Sequence, residues 1–235
     1  MKKSIRVFWN INELANWESV FDQQFECIVK SGLMDAAEDV ILMGNGRQQT
    51  FKPLIDAHPE YPQMAFASVC DSAALFEFPG LMFMLEQARE AEEPFHICYI
   101  HLKGLTRWGN PNIEDWKAWL NWCVIERWRD NVAALQTYDT SGPNWEQTPW
   151  PHHSSNFWWA NSDYIAKLNP LVHPHKLVSL NATQFLPHPE IRHWRFDHEA
   201  WLGSGNPNAF EIARSFTDGG NHYANPYPRE LYRND

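Results

Sequence analysis

The sequence lacks the common short signatures of nucleotide and acyl chemistry. It contains no G-x-x-x-x-G-K-[ST], no G-x-G-x-x-G and no G-x-S-x-G. The usual phosphate-cradling loops and the esterase nucleophile elbow are therefore unsupported. D-x-D is missing as well. Cysteine is scarce, with only Cys27, Cys70, Cys98 and Cys123, and none is spaced as C-x-x-C. That argues against a thiolate zinc knuckle, and the apolar surroundings read as reduced core residues of a cytoplasmic protein. The apolar run Ile5 to Ile11 is too short and interrupted for a signal peptide, and no run approaches a membrane span. The only glycosylation sequon, Asn181-Ala182-Thr183, carries little weight without a leader. Basic residues are in deficit: 19 Lys and Arg against 29 Asp and Glu give a net charge of -10. A whole surface serving as a polyanion clamp is thus disfavoured, while a local basic pocket for a phosphate stays open.

What is present is aromatic. Thirteen Trp, fourteen Phe and seven Tyr in 235 residues imply a thick core, a carbohydrate-stacking surface, or both. With 44% apolar and 20% charged residues the composition is that of an ordinary globular chain, long enough for a sizeable core. Ile5 to Asn10 reads as a strand, followed by a helix capped by Asn12, with Leu14, Trp17, Phe21, Phe25 and Ile28 on one face and Gly32 as its stop. Val40 to Met43 and Ala65 to Val69 read as strands, with Gly44-Asn45-Gly46 as a turn. Pro79 opens a helix running to about Glu92. Phe95 to His101 reads as a buried central strand. Asn112 to Asp115 resembles a capping box before a helix carrying Trp116, Trp119, Leu120, Cys123, Val124 and Trp128. Alternating strands and helices predict an α/β domain with a mostly parallel central sheet flanked by helices. After about Tyr138 the texture becomes rich in Pro, His, Asn, Gly and Trp. The expectation is a single domain over 1–235, with residues 139–235 a loop-rich half laid over the sheet ends and the polar tail from Asp218 a draped strap.

In open α/β sheets, ligands bind beyond the carboxyl ends of the strands. Four segments invite chemistry. His101-Leu102-Lys103-Gly104 directly follows the most apolar strand, with Arg107 just beyond; a Lys and a His there suit a phosphate, and the bland alternative is a solvated turn. In His152 to Asn161, adjacent histidines point to opposite faces of a strand and so suit one zinc ion poorly. Ser155 and Asn156 beside Trp158 and Trp159 suit a sugar, or are simply core. Asp197 and Glu199 form a D-x-E pair that could supply a general base or hold a divalent ion, or else pair with Arg192 or Arg195. Asp139 ends a candidate strand and could be structural or substrate-binding.

Taken in order, the segments Ser31-Gly32-Leu33, Phe76-Glu77-Phe78-Pro79-Gly80-Leu81, Tyr99-Ile100-His101-Leu102-Lys103-Gly104, Gly142-Pro143-Asn144-Trp145, His153-Ser154-Ser155-Asn156-Phe157-Trp158-Trp159-Ala160-Asn161 and Glu199-Ala200-Trp201-Leu202-Gly203 resemble a group of bacterial and viral glycosyltransferase-like proteins. Their usual pattern reads Y-E-F-P-T-L, Y-I-H-T-K-G and S-G-N-F-W-W-A-N. The chain departs from it at Gly80, Leu102 and Ser155. The resemblance implies a GT-A-like (Rossmann-like) fold, with residues 1–138 as the nucleotide-sugar-binding half and 139–235 on the acceptor side. It implies transfer of a sugar from a nucleotide-sugar donor to an acceptor hydroxyl on a glycan, a protein or a modified base. His101-x-Lys103 would stand where such folds carry D-x-D, so no metal cofactor and little dependence on Mg²⁺ or Mn²⁺ are expected. Glu199 would be the base, with Asp139 or Asp197 as substitutes. Asn10, Asn12, Gly44, Arg47, Glu77, Lys103, Gly104 and Arg107 would hold the donor, and His153, Ser155, Asn156, Trp158, Trp159 and Trp201 the acceptor or sugar. Asp197 with Glu199 is the fallback metal pair. Two other readings stay open: a non-catalytic carbohydrate-binding protein, and a metal-dependent hydrolase using His152, His153, His198 and Asp197.

Overall fold

The computed structural model describes residues 3–107, 109–177, 183–185, 193–216 and 221–233. Its centre is a seven-stranded sheet in the order β3-β2-β1-β4-β8-β5-β9. The strands are β1 (Ile5–Asn12), β2 (Asp39–Asn45), β3 (Met64–Cys70), β4 (His96–His101), β5 (Thr140–Pro143), β8 (Trp158–Asn161) and β9 (Ala209–Ala213). Between β5 and β8 a separate two-stranded ribbon pairs β6 (Trp145–Glu146) with β7 (His152–His153). β1 to β4 run parallel, β8 runs against β4 and β5, and β9 is parallel to β5. The layout is compatible with a Rossmann-like fold.

Helices cover both faces of the sheet, which is why the central strands read as unbroken apolar runs rather than alternating ones. On one face Val7, Trp9 and Ile11 pack against α1 (Trp17–Lys30), α2 (Leu33–Ala36) and, through Trp119 and Leu120, α5 (Pro111–Asn121). α3 (Gln48–Asp56) adds Phe51 to that core. On the other face Phe8, Met43, Ile97 and Tyr99 pack against α4 (Phe78–Glu90), α7 (Ser162–Ile165) and α8 (Phe196–Trp201). α6 (Trp128–Ala134) follows α5 after one π-type turn, Trp122–Glu126. Carbonyls in that loosened turn are taken by side chains: Asn131 Nδ2 donates to Cys123 O at 2.8 Å, and Trp159 Nε1 to Val124 O at 2.8 Å.

The structure departs from the sequence expectations at four places. Asn12 does not cap α1; it is the last residue of β1, and the helix begins at Trp17. Gly44 and Asn45 extend β2 rather than forming a turn. The cap of α5 is Asn110, whose side chain accepts from Asn112 N at 3.0 Å. The half after residue 138 contributes β5, β8 and β9 to the main sheet, so it is an integral part of the sheet and not only a cover for its ends. The C-terminal strap is real at 221–233: Tyr227 N donates to Asp115 Oδ2 at 3.2 Å, and the His222 ring stacks on Trp116 and Trp119. All four cysteines are free thiols; Cys98 and Cys123 are buried, and Cys27 and Cys70 half-buried. No helix among the described residues is long and apolar enough to cross a membrane. Trp108, Arg192 and the sequon's Asn181 and Ala182 lie outside the described residues.

Candidate functional site

β1 and β4 are neighbours, yet the chain leaves them in opposite directions, toward β2 on one side and toward β5 on the other. Their carboxyl ends, where Asn10 stands opposite His101, therefore flank the crevice of an open α/β sheet. A narrow cleft of about 140 Å³ lies between Asn12, Glu77 and the His101–Gly104 turn. It shares Glu77, His101, Lys103 and Arg107 with a chamber of about 510 Å³, which Ser155, His198 and Glu199 also line. Gly104 makes the turn possible: its φ is +83°, and a Cβ there would meet Ile113 Cγ2 at 2.6 Å.

Three cations surround the crevice, each laid over an aromatic ring. Lys103 Nζ sits 4.2 Å from the centroid of Trp116 and 5.8 Å from that of Tyr223. The Arg107 guanidinium lies 4.4 Å from the Tyr223 ring, and that of Arg195 lies 3.6 Å from Phe76. Among the described residues none of the three has a carboxylate partner. Cation–π contacts hold such side chains in place without neutralising them, so the crevice is positive within a protein of net charge -10.

Glu77 forms the crevice floor. Its carboxylate accepts from Tyr99 Oη at 2.9 Å and from Asn156 Nδ2 at 2.6 Å. Burial pushes its pKa up, but the nearby His101 and His198 and the two hydrogen bonds outweigh burial and hold it below the usual carboxylate value. Asn156 is fixed in turn: Ser155 and Asn156 both adopt left-handed backbone (φ 60° and 57°), Trp158 Nε1 donates to Asn156 Oδ1 at 2.6 Å, and His101 Nε2 donates to the Ser155 carbonyl at 2.8 Å. Behind them Asn45 Nδ2 donates to Asn10 Oδ1 at 2.9 Å, and a Cβ on Gly80 would meet that same oxygen at 2.5 Å. Glu199, on α8, lines the chamber with no hydrogen-bond or ion-pair partner among the described residues.

His198 is 3% exposed, and burial drives its pKa down to about 4, with Glu77 opposing and Arg195 and His193 reinforcing. The unfolded chain takes up this proton near 6.5, the folded protein only near 4. Stability therefore falls by about 1.4 kcal/mol per pH unit as pH drops across that interval. Urea unfolding measured from pH 7 to 4 in the wild type and in His198→Asn checks this. The variant should show the shallower slope, and equal slopes would refute the assignment.

The expected site residues divide. His101, Lys103, Gly104, Arg107, Glu77, Asn12, Ser155 and Glu199 line the crevice, with Asn10 and Asn156 supporting it. Trp158, Trp159 and Trp201 do not form a sugar platform: each is 0% exposed, and their indole N–H groups are bound to Asn156, Val124 and Asn169. His153 is buried beside Thr140, 3.2 Å from its hydroxyl. Gly44 packs in β2 against Phe51 and Phe66, and Arg47 is engaged by Glu13, whose carboxyl its hydrogen bonds pull down to about 2. Neither lines the crevice. Asp139 stands at the amino end of β5, away from the crevice, where it accepts from Asn208 N at 2.9 Å. Asp197 accepts from Gln184 N and Phe185 N at 2.7 and 3.1 Å. It points away from Glu199, as residues two apart on a helix do, so the fallback metal pair does not converge. His152 Nδ1 is bound to Trp150 O at 2.8 Å. Among the described residues no three His, Cys, Asp or Glu side chains come together as metal ligands.

Arg195 as a crevice cation, and Tyr223 and Trp116 as the rings that hold Lys103 and Arg107, are not singled out by the sequence. In the sequence Arg195 offers itself only as an alternative ion-pair partner for Asp197 or Glu199, and Tyr223 falls in the strap. No protein-family model matches the chain, and no curated protein matches it.

Proposed function

We propose that the protein is a glycosyltransferase of GT-A type that moves a sugar from a nucleotide-sugar donor to an acceptor hydroxyl. The observation that carries this reading is the set of three cations without carboxylate partners, Lys103, Arg107 and Arg195, gathered over aromatic rings beyond the carboxyl ends of β1 and β4. Such a set suits a diphosphate. The nucleotide sugar lies with its diphosphate against these side chains and its anomeric carbon toward Glu199. Glu199 accepts the proton of the acceptor hydroxyl as the acceptor oxygen bonds to that carbon. The bond from the carbon to the phosphate oxygen breaks, and its electron pair leaves with the nucleoside diphosphate, whose growing charge falls beside Lys103. Glu77, held anionic by its donors, orients Asn156 and Tyr99 at the floor.

A thermal-shift panel of nucleoside diphosphates and nucleotide sugars, with and without EDTA, tests the donor half. Ligand at a hundredfold excess over Kd should stabilise the fold by about 2.7 kcal/mol. The shift should survive EDTA and vanish when Arg107 and Arg195 are both replaced by alanine. Absence of a shift with every nucleotide would overturn the reading and favour a carbohydrate-binding protein.

A further inference from the structure

We propose that a second chamber, adjoining the first, receives an uncharged polyhydroxyl acceptor, a neutral sugar rather than a phosphorylated one or a nucleic acid. The proposal rests on the transferase reading, because Glu199 borders both chambers. The second chamber has about 680 Å³, within the usual range of small-molecule sites.

Its charges are balanced where those of the first are not. Arg214 is bound by Glu146 at 2.8 Å and by Glu211 at 2.5 Å. Lys103 and Glu199 line both chambers, and Glu146 lines this one. A phosphate here would meet two carboxylates, Glu146 and Glu199, and two cations already engaged, Arg214 by its two glutamates and Lys103 by the donor. A neutral hydroxyl meets no such penalty, and it finds acceptors in those carboxylates.

The lining also suits a sugar. Ser155 lines the chamber and is 8% exposed; its hydroxyl is enclosed and has no hydrogen-bond partner among the described residues. A buried hydroxyl left without a partner is costly, and a turn of the side chain to the rotamer facing the chamber would let a ligand hydroxyl relieve it. Phe196 and Tyr223 line both chambers and remain 38% and 42% exposed, unlike the fully buried Trp158, Trp159 and Trp201. Partly exposed rings beside a free carboxylate can stack on the C–H faces of a sugar while the carboxylate takes its hydroxyl. The sugar-stacking rings expected at Trp158 and Trp159 are thus replaced in this proposal by Phe196 and Tyr223.

Saturation-transfer NMR with methyl glycosides of glucose, galactose and N-acetylglucosamine, their 6-phosphates and a short DNA duplex tests this without donor present. At least one neutral glycoside should bind, with saturation strongest on its ring C–H protons. Phe196→Ala should weaken that binding about fivefold. Ser155→Gly, which suits the left-handed backbone and so preserves the fold, should also weaken it. The pair Arg107→Ala and Arg195→Ala should leave glycoside binding intact while abolishing nucleoside diphosphate binding. Tighter binding of the 6-phosphates or of the duplex, no binding by any glycoside, or glycoside binding indifferent to both Phe196→Ala and Ser155→Gly would overturn the proposal. Loss of nucleotide binding in the wild type alone would instead overturn the donor assignment, so the two failures are distinguishable.

Discussion

Lys103→Ala is expected to slow sugar transfer about 10²–10³-fold, the usual effect of removing one group that stabilises transition-state charge. The ammonium lies where the His101–Gly104 turn meets the crevice, fixed 4.2 Å over Trp116. Because that contact orients the charge without cancelling it, most of the side chain's electrostatic effect is left for the departing diphosphate of the proposed reaction. Its contribution to the fold is small by comparison, about 0.5–1 kcal/mol for a partly exposed cation–π pair. The variant should therefore unfold near the wild-type denaturant concentration while single-turnover transfer collapses. Lys103→Arg should recover part of the rate, since it keeps the charge but changes its shape. Full turnover by Lys103→Ala would remove the residue from the mechanism.

Glu199→Gln should bind nucleoside diphosphate as the wild type does and lose about 10²–10⁴-fold in transfer, the range assigned to a positioned general base. The carboxamide is nearly isosteric, so a loss of rate with donor binding retained separates proton transfer from shape. Calorimetric titration of the nucleotide together with single-turnover kinetics measures both. Loss of nucleotide binding would place Glu199 in the donor site. Undiminished turnover would pass the role to Glu77, the other carboxylate of the first chamber, whose oxygens are already committed to Tyr99 and Asn156.

The N-terminal half was legible for a physical reason. β1, β2 and β4 are covered on both faces, so each is an apolar run ended by residues such as Asn12, Asn45 and His101 that mark where the strand meets the crevice. The second half was obscure because β5 and β8 have four residues each, β5 containing Gly142 and Pro143. Such segments carry little propensity of their own and take their shape from the strands beside them. Trp158 and Trp159 illustrate the same limit. Adjacent strand residues point to opposite faces, which suggests one ring inside and one outside. Here each face has its own core, so Trp159 enters one and Trp158 the other. The His101–Gly104 turn was readable from local order alone. Arg195 over Phe76 and Arg107 over Tyr223 were not, because each pair joins parts of the chain far apart in sequence.

The antiparallel insertion of β8 between β4 and β5 also bears on how the protein is made. When β4 leaves the ribosome, the strand that will cover its outer edge lies about 60 residues downstream, several seconds away at bacterial or eukaryotic elongation rates. During that interval an apolar strand with unpaired backbone groups faces the cell. The nascent chain passes through a window in which another copy, or a chaperone, can bind the edge that β8 later closes. Slow or paused synthesis between residues 101 and 161 should therefore increase aggregation more than a pause of equal length after residue 213.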